Sequence, residues 1–167
     1  MSRDAETGHD GLYDAVGIDG PAGSGKSSVA KRIADARGYL YIDTGAMYRA
    51  VALKALRQGT ELENPEAMSA VAESAAIAFD ATGTKILLDG EDVSREIRSP
   101  EEAQNVKFAA RVPAIRAQMG RLQQEMCRAR PVVMEGRDIT TVVLPDPRCR
   151  CFLSARPEVR SERRQKD

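Results

Sequence analysis

Short apolar runs alternate with stretches whose apolar residues recur at helical spacing, and that alternation predicts the elements of this chain. Ala15-Val16-Gly17-Ile18, Tyr39-Leu40-Tyr41-Ile42, Pro131-Val132-Val133-Met134 and Cys149-Arg150-Cys151-Phe152-Leu153 are short and rich in apolar residues. Such runs suit parallel strands covered on both faces. Ser27 to Ala36 follows the first run with helical periodicity and ends at Gly38, a C-cap glycine. Ala46 to Leu56 places Met47, Val51, Leu53 and Leu56 on one side, with Asp43 or Thr44 as its cap. Asn64-Pro65 opens a helix to about Ala76, Ser99-Pro100 opens another, and Pro113 to Ala129 repeats Ile115, Met119, Leu122 and Met126 at helical intervals. One stretch breaks the alternation. Ile77 to Asp80, Lys85 to Leu88 and Glu91 to Val93 are joined by the turn dipeptides Thr82-Gly83 and Asp89-Gly90, which predicts a small antiparallel β lobe inside an insertion at about 60–110. Strands that alternate with helices imply an α/β fold: a doubly wound parallel sheet with helices on both faces, plus the inserted lobe. Met1 to Tyr13 is polar and reads as a disordered leader to a core of residues 14–167.

Between the first strand and its helix stands Gly20-Pro21-Ala22-Gly23-Ser24-Gly25-Lys26-Ser27, a complete G-x-x-x-x-G-K-[ST] motif followed by Ser28. Glycines let the backbone N–H groups converge on phosphate oxygens, and the helix N-terminus adds partial positive charge. Lys26 is placed to reach the β- and γ-phosphates of ATP, and the Ser27 hydroxyl to bind the Mg2+ that bridges them. The motif makes the core one of the P-loop NTPase type. Three further groups of charges stand at expected strand ends or on helix faces. Arg49, beside Tyr48, is assigned to the first helical turn after Asp43, where a cation opposes the helix dipole; a phosphate partner or a solvated surface position would each explain it. Glu135-Gly136-Arg137-Asp138 ends the third core strand, on the rim where open α/β sheets bind ligands; an internal Arg137–Asp138 pair in a capping turn is the other reading. Arg160 and Arg164 share a helical face with Arg163 beside them, either a clamp for a moving phosphoryl group or a basic tail.

Composition narrows the chemistry. The 25 basic and 25 acidic residues cancel, which argues against a general nucleic-acid or membrane-surface binder. No apolar run is long enough to span a bilayer. Cys127, Cys149 and Cys151 form no C-x-x-C pair and are assigned to packing in a reducing, cytoplasmic setting. The one histidine, His9, lies in the leader, so histidine-based catalysis is excluded and the work falls to Lys, Arg, Asp and Mg2+. The default assembly is a monomer.

Taken together, Gly20 to Ser28, Asp43-Thr44-Gly45-Ala46-Met47-Tyr48-Arg49, Asp89-Gly90-Glu91-Asp92-Val93-Ser94, Gly136-Arg137-Asp138-Ile139 and Val142-Val143-Leu144-Pro145-Asp146 resemble the bacterial cytidylate kinases, in the family's order. The resemblance runs from about Asp14 to the last residue. It implies transfer of the ATP γ-phosphoryl group to CMP or dCMP with Mg2+. It further implies that Arg49 and Arg137 hold the CMP phosphate, that Arg116 and Asp138 read cytosine, and that Asp43, Tyr48, Lys107 and Gly136 belong to the same substrate site. Lys107 stands where the family usually has serine, and Glu135 where aspartate is frequent. The family continues through a lid and a final strand and helix, of which residues 157–167 would be the start. A chain without them is expected to be much less active than a complete enzyme. A P-loop kinase for another monophosphate and a non-catalytic nucleotide-binding fragment are the competing readings.

Overall fold

The computed structural model of the protein describes residues 13–164. In chain order the elements are β1 (Tyr13–Asp19), α1 (Lys26–Arg37), β2 (Leu40–Asp43), α2 (Thr44–Arg57), α3 (Pro65–Glu73), β3 (Ile77–Phe79), β4 (Ile86–Leu88), β5 (Glu91–Asp92), α4 (Pro100–Ala110), α5 (Pro113–Ala129), β6 (Val132–Gly136), β7 (Pro147–Phe152) and α6 (Pro157–Arg164). Tyr13, expected to end a disordered leader, is instead part of the sheet. Tyr13 is the first residue of β1 and buries its ring in the core, while His9 and the rest of that segment lie outside the described residues, as do residues 165–167.

The four apolar runs make one parallel sheet in the order β2-β6-β1-β7. Strand side chains alternate between faces, so in-register neighbours line up in rows. Tyr41 sits beside Val133 and Val16, and Asp43 beside Glu135 and Ile18. This row faces α1, where Ile18, Tyr41 and Val133 pack against Ala30 and Ala34. The opposite row, with Ala15, Ile42, Val132 and Met134, packs against Met47 and Val51 of α2 and Ile115 and Met119 of α5. Helices therefore cover both faces, and all four strands run toward one rim, which carries Gly20, Asp43 and Gly136.

The predicted insertion is a three-stranded antiparallel sheet in the order β3-β4-β5. Its buried residues Ile77, Ile86 and Leu88 join the α2 side of the core. Two contacts tie it to α2: Lys54 Nζ donates to Ser74 O and meets Asp89 at 2.7 Å, and the Arg57 guanidinium is shared between Glu91 and Glu96. Asp89 has φ +52°, a left-handed position uncommon for a side chain, held by its own carboxylate accepting from Ala76 N as well as by Lys54. Gly83, φ +78°, brings the β3–β4 turn onto the backbone of Tyr41 so closely that a Cβ there would lie 1.8 Å from Tyr41 O. The lobe thus leans on the edge of the main sheet. Of the cysteines, only Cys127 is buried; Cys149 and Cys151, assigned to packing, are exposed on β7, a strand at the sheet's edge.

Candidate active site

The phosphate loop has the conformation its glycines predict. Gly20, Gly23 and Gly25 have φ of +151°, +74° and +96°, and a Cβ on Gly20 would lie 2.0 Å from Leu153 O. Gly25 caps α1 without a side-chain hydrogen bond, and the first turn of α1 holds no acidic residue. Its N–H groups therefore remain available to an anion. Lys26 Nζ donates to Pro21 O at 2.9 Å, folded back over the loop. Burial lowers the Lys26 pKa from its ordinary value; Glu135 opposes that, Arg137 reinforces it, and Asp43 and Asp19 oppose it. Four of the groups that act on Lys26 therefore stand on the strand ends around it. Ser24 is buried with its hydroxyl unpartnered, and Pro21 and Ala22 complete the turn. Ser27 and Ser28 are exposed in the first turn of α1.

Beneath Lys26 lies a buried network that the motif alone does not announce. The Tyr41 hydroxyl donates to Glu135 Oε1 at 2.5 Å, and the exposed Ser27 side chain also acts on that carboxylate. Burial raises the pKa of the Glu135 carboxyl, while Tyr41 and Ser27 pull it back. Burial, with Asp43 and Glu135 nearby, likewise raises that of the Tyr41 phenol. Ser27, Glu135 and Asp43 offer hard oxygen donors at one place, the type Mg2+ prefers. Among the described residues no group of three or more His, Cys, Asp or Glu could hold a metal by itself, so an ion here would depend on nucleotide phosphate oxygens as well.

The other charged groups assemble from separate elements. Asp43 caps α2 by accepting from Ala46 N at 3.0 Å, and its second oxygen accepts from Arg49 Nη2 at 2.8 Å. Because α2 begins at Thr44, Arg49 lies in its second turn and not its first. The dipole argument for that residue fails; the Asp43 carboxylate offsets its charge, and its Nε is buried with no partner. Asp138 pairs with Arg116 of α5 and not with its neighbour Arg137. Tyr48, Arg116, Gly120, Gln124, Asp138 and Val142 line a cavity of about 230 Å3. Burial raises the Tyr48 pKa, against the nearby Arg116 charge. Gly136 has no room for a side chain: a Cβ would lie 2.6 Å from Thr44 Oγ1. Arg137 is exposed.

Three assignments fare differently. Lys107 is exposed on α4, with Nζ 5.0 Å from the centre of the Phe108 ring, and is not among the described residues that line the cavity. Arg160 and Arg163 do reach the phosphate loop. The Arg160 backbone lies against Gly23, its Nε is buried without a partner, and Arg163 Nη1 donates to Gly23 O at 3.3 Å. Arg164 closes α6, and its side chain is outside the described ones. Asp19 stands just before the phosphate-loop motif, outside it. At the end of β1 it accepts from Ile139 N, Thr140 N and Thr140 Oγ1 at 2.6–2.8 Å, so it pins the start of the single π-turn 139–143 that follows Arg137 and Asp138. An acid ending an apolar strand run was the available signal.

The family model described as cytidylate kinase matches residues 16–167. A cytidylate kinase of Pelotomaculum thermopropionicum is 52% identical over 158 residues, covering 93% of this chain and 70% of that protein. Cytidylate kinases of Desulforamulus reducens and of Caldanaerobacter subterraneus subsp. tengcongensis are 48% and 47% identical, over 93% and 91% of the chain and 70% and 67% of their own lengths. By the match of this model over residues 16–167 and by these relatives, the chain belongs to the cytidylate kinase family.

Proposed function

We propose that this protein transfers the γ-phosphoryl group of ATP to CMP, and to dCMP, giving the diphosphate and ADP with Mg2+, as a cytoplasmic monomer. The observation that carries this reading is the convergence of two unlike binding surfaces. Lys26 and the N–H groups of the phosphate loop stand at the rim with Arg137 acting on Lys26, and the Arg49–Asp43 and Arg116–Asp138 pairs are assembled from neighbouring elements. Asp43 bridges the two, bonding Arg49 while acting on Lys26. Among the described residues no helix is long and apolar enough to cross a membrane.

In this reading the loop N–H groups and Lys26 hold the triphosphate, Lys26 exchanging its bond to Pro21 O for phosphate oxygens. Mg2+ would be held by Ser27, with Glu135 and Asp43 beside it, and would neutralise charge on the β- and γ-phosphates. Arg49 and Arg137 fix the acceptor phosphate, with Asp43, Tyr48 and Gly136 shaping its surroundings. Phosphoryl transfer needs positioning and neutralised charge more than a strong base. Arg160 and Arg163 add positive charge beside the loop. Base choice follows from hydrogen-bond polarity. Cytosine offers an amino donor with ring N and O acceptors, which a carboxylate and a guanidinium complement, whereas uracil would set a carbonyl against Asp138.

The test is a coupled ADP-release assay with CMP, dCMP, UMP and AMP, beside calorimetric titration of each with and without an ATP analogue. Transfer to CMP well above UMP and AMP is expected. Equal rates on all monophosphates, or ATP binding with no transfer, would overturn the assignment.

A further inference from the structure

Building on the kinase reading, we propose that Tyr41 is a positioning residue for the transfer: its hydroxyl fixes the Glu135 carboxylate toward Ser27 at the metal-binding end of the phosphate loop. Three observations carry it. Tyr41 is 3% exposed and Glu135 4%, and their 2.5 Å hydrogen bond joins neighbouring strands β2 and β6. A buried strand position on this face needs only an apolar ring or branch, so the buried phenol hydroxyl must earn its place through a partner. That partner is Glu135, on which Ser27 and Lys26 also act. The Tyr41 backbone is fixed too, by the Gly83 turn closing over its carbonyl, and Lys31 Nζ lies 5.4 Å from the centre of its ring.

The physical consequence concerns competition. Lys26 is a cation whose charge acts on this buried carboxylate, and opposite charges attract strongly where water is scarce. Held by Tyr41, Glu135 presents itself to Ser27, and Lys26 stays available to phosphate. Released, Glu135 is drawn to Lys26, and both the metal-side donor and the phosphate-side cation are compromised. A phenylalanine keeps the ring and its packing and removes only the tether.

The test is calorimetric titration of ATP, with Mg2+ and without, into the wild-type protein and Tyr41→Phe, beside steady-state kinetics and thermal melting. Wild-type protein is expected to bind ATP more tightly when Mg2+ is present, and Tyr41→Phe to lose about tenfold of that gain, the scale on which residues orienting metal ligands act. kcat is expected to fall by a similar factor with KM for CMP held within about twofold, the signature of a lost transition-state contribution. A tyrosine that only packs would lower the melting midpoint and leave the metal-dependent gain intact, and that result overturns the proposal, as does absence of any gain in wild type. If the wild-type protein transfers nothing to CMP, the kinase reading fails, while the ATP titrations still decide the role of Tyr41.

Discussion

The two halves of the proposed site are built in opposite ways. The donor half is a run of consecutive residues, Gly20 to Ser28, whose shape is written in the torsions of its own glycines. The acceptor half takes Asp43 and Arg49 from the start of α2, Arg116 from α5 and Asp138 from the segment after β6, and these meet only because the sheet and its helices bring them together. A contiguous loop answers mainly to substitutions within itself. A pocket gathered from three elements answers to anything that shifts those elements.

The largest expected effect breaks one half alone. Lys26→Ala should lower kcat by at least about 100-fold, the scale seen when a charge-stabilising donor is removed, and leave CMP binding intact by calorimetry. Loss of CMP binding would show that the halves are not separable. Next comes a remote contact: Gly83→Ala places a methyl against the Tyr41 backbone in a left-handed turn, and should destabilise the protein by about 1–3 kcal/mol in urea unfolding. The sheet edge carrying Tyr41 and Asp43 would shift with it. Asp138→Asn should narrow the CMP-to-UMP preference by about tenfold in kcat/KM, because an amide can donate to the uracil carbonyl. An unchanged ratio would remove Asp138 from base reading. The smallest effect lies outside both halves. Asn64 caps α3 by accepting from Glu66 N and Ala67 N, so Asn64→Ala should cost about 1 kcal/mol of stability with kinetics unchanged.

Local chemistry explains what was legible beforehand. Gly38 in the left-handed conformation ends α1, Asn64-Pro65 starts α3, and Asp43 caps α2, all as their residue types demand. The Thr82-Gly83 and Asp89-Gly90 turns delimit the lobe strands for the same reason. The rest depends on which side chains meet in space. The helix dipole does not account for Arg49, which lies in the second turn of α2 and pairs with Asp43. Arg137 and Asp138 are adjacent, yet Asp138 pairs with Arg116, 22 positions away. Lys107, taken from the resemblance as a substrate-site residue, lies along the Phe108 ring on an exposed face of α4.

By itself the sequence determined the alternation of strand and helix, the glycine turn between β1 and α1, and the points where helices begin and end. Each of these depends on torsional freedom, hydrogen-bonding capacity or apolar spacing within a few residues. Tertiary structure decided which strands became neighbours, and with that the company of each charge. Tyr41 meets Glu135 because β2 lies beside β6. Asp19 holds the turn after Asp138 because β1 ends beneath it. Electrostatic and hydrogen-bond energies depend on distance in space, and distance in space is not a property of any short stretch of chain.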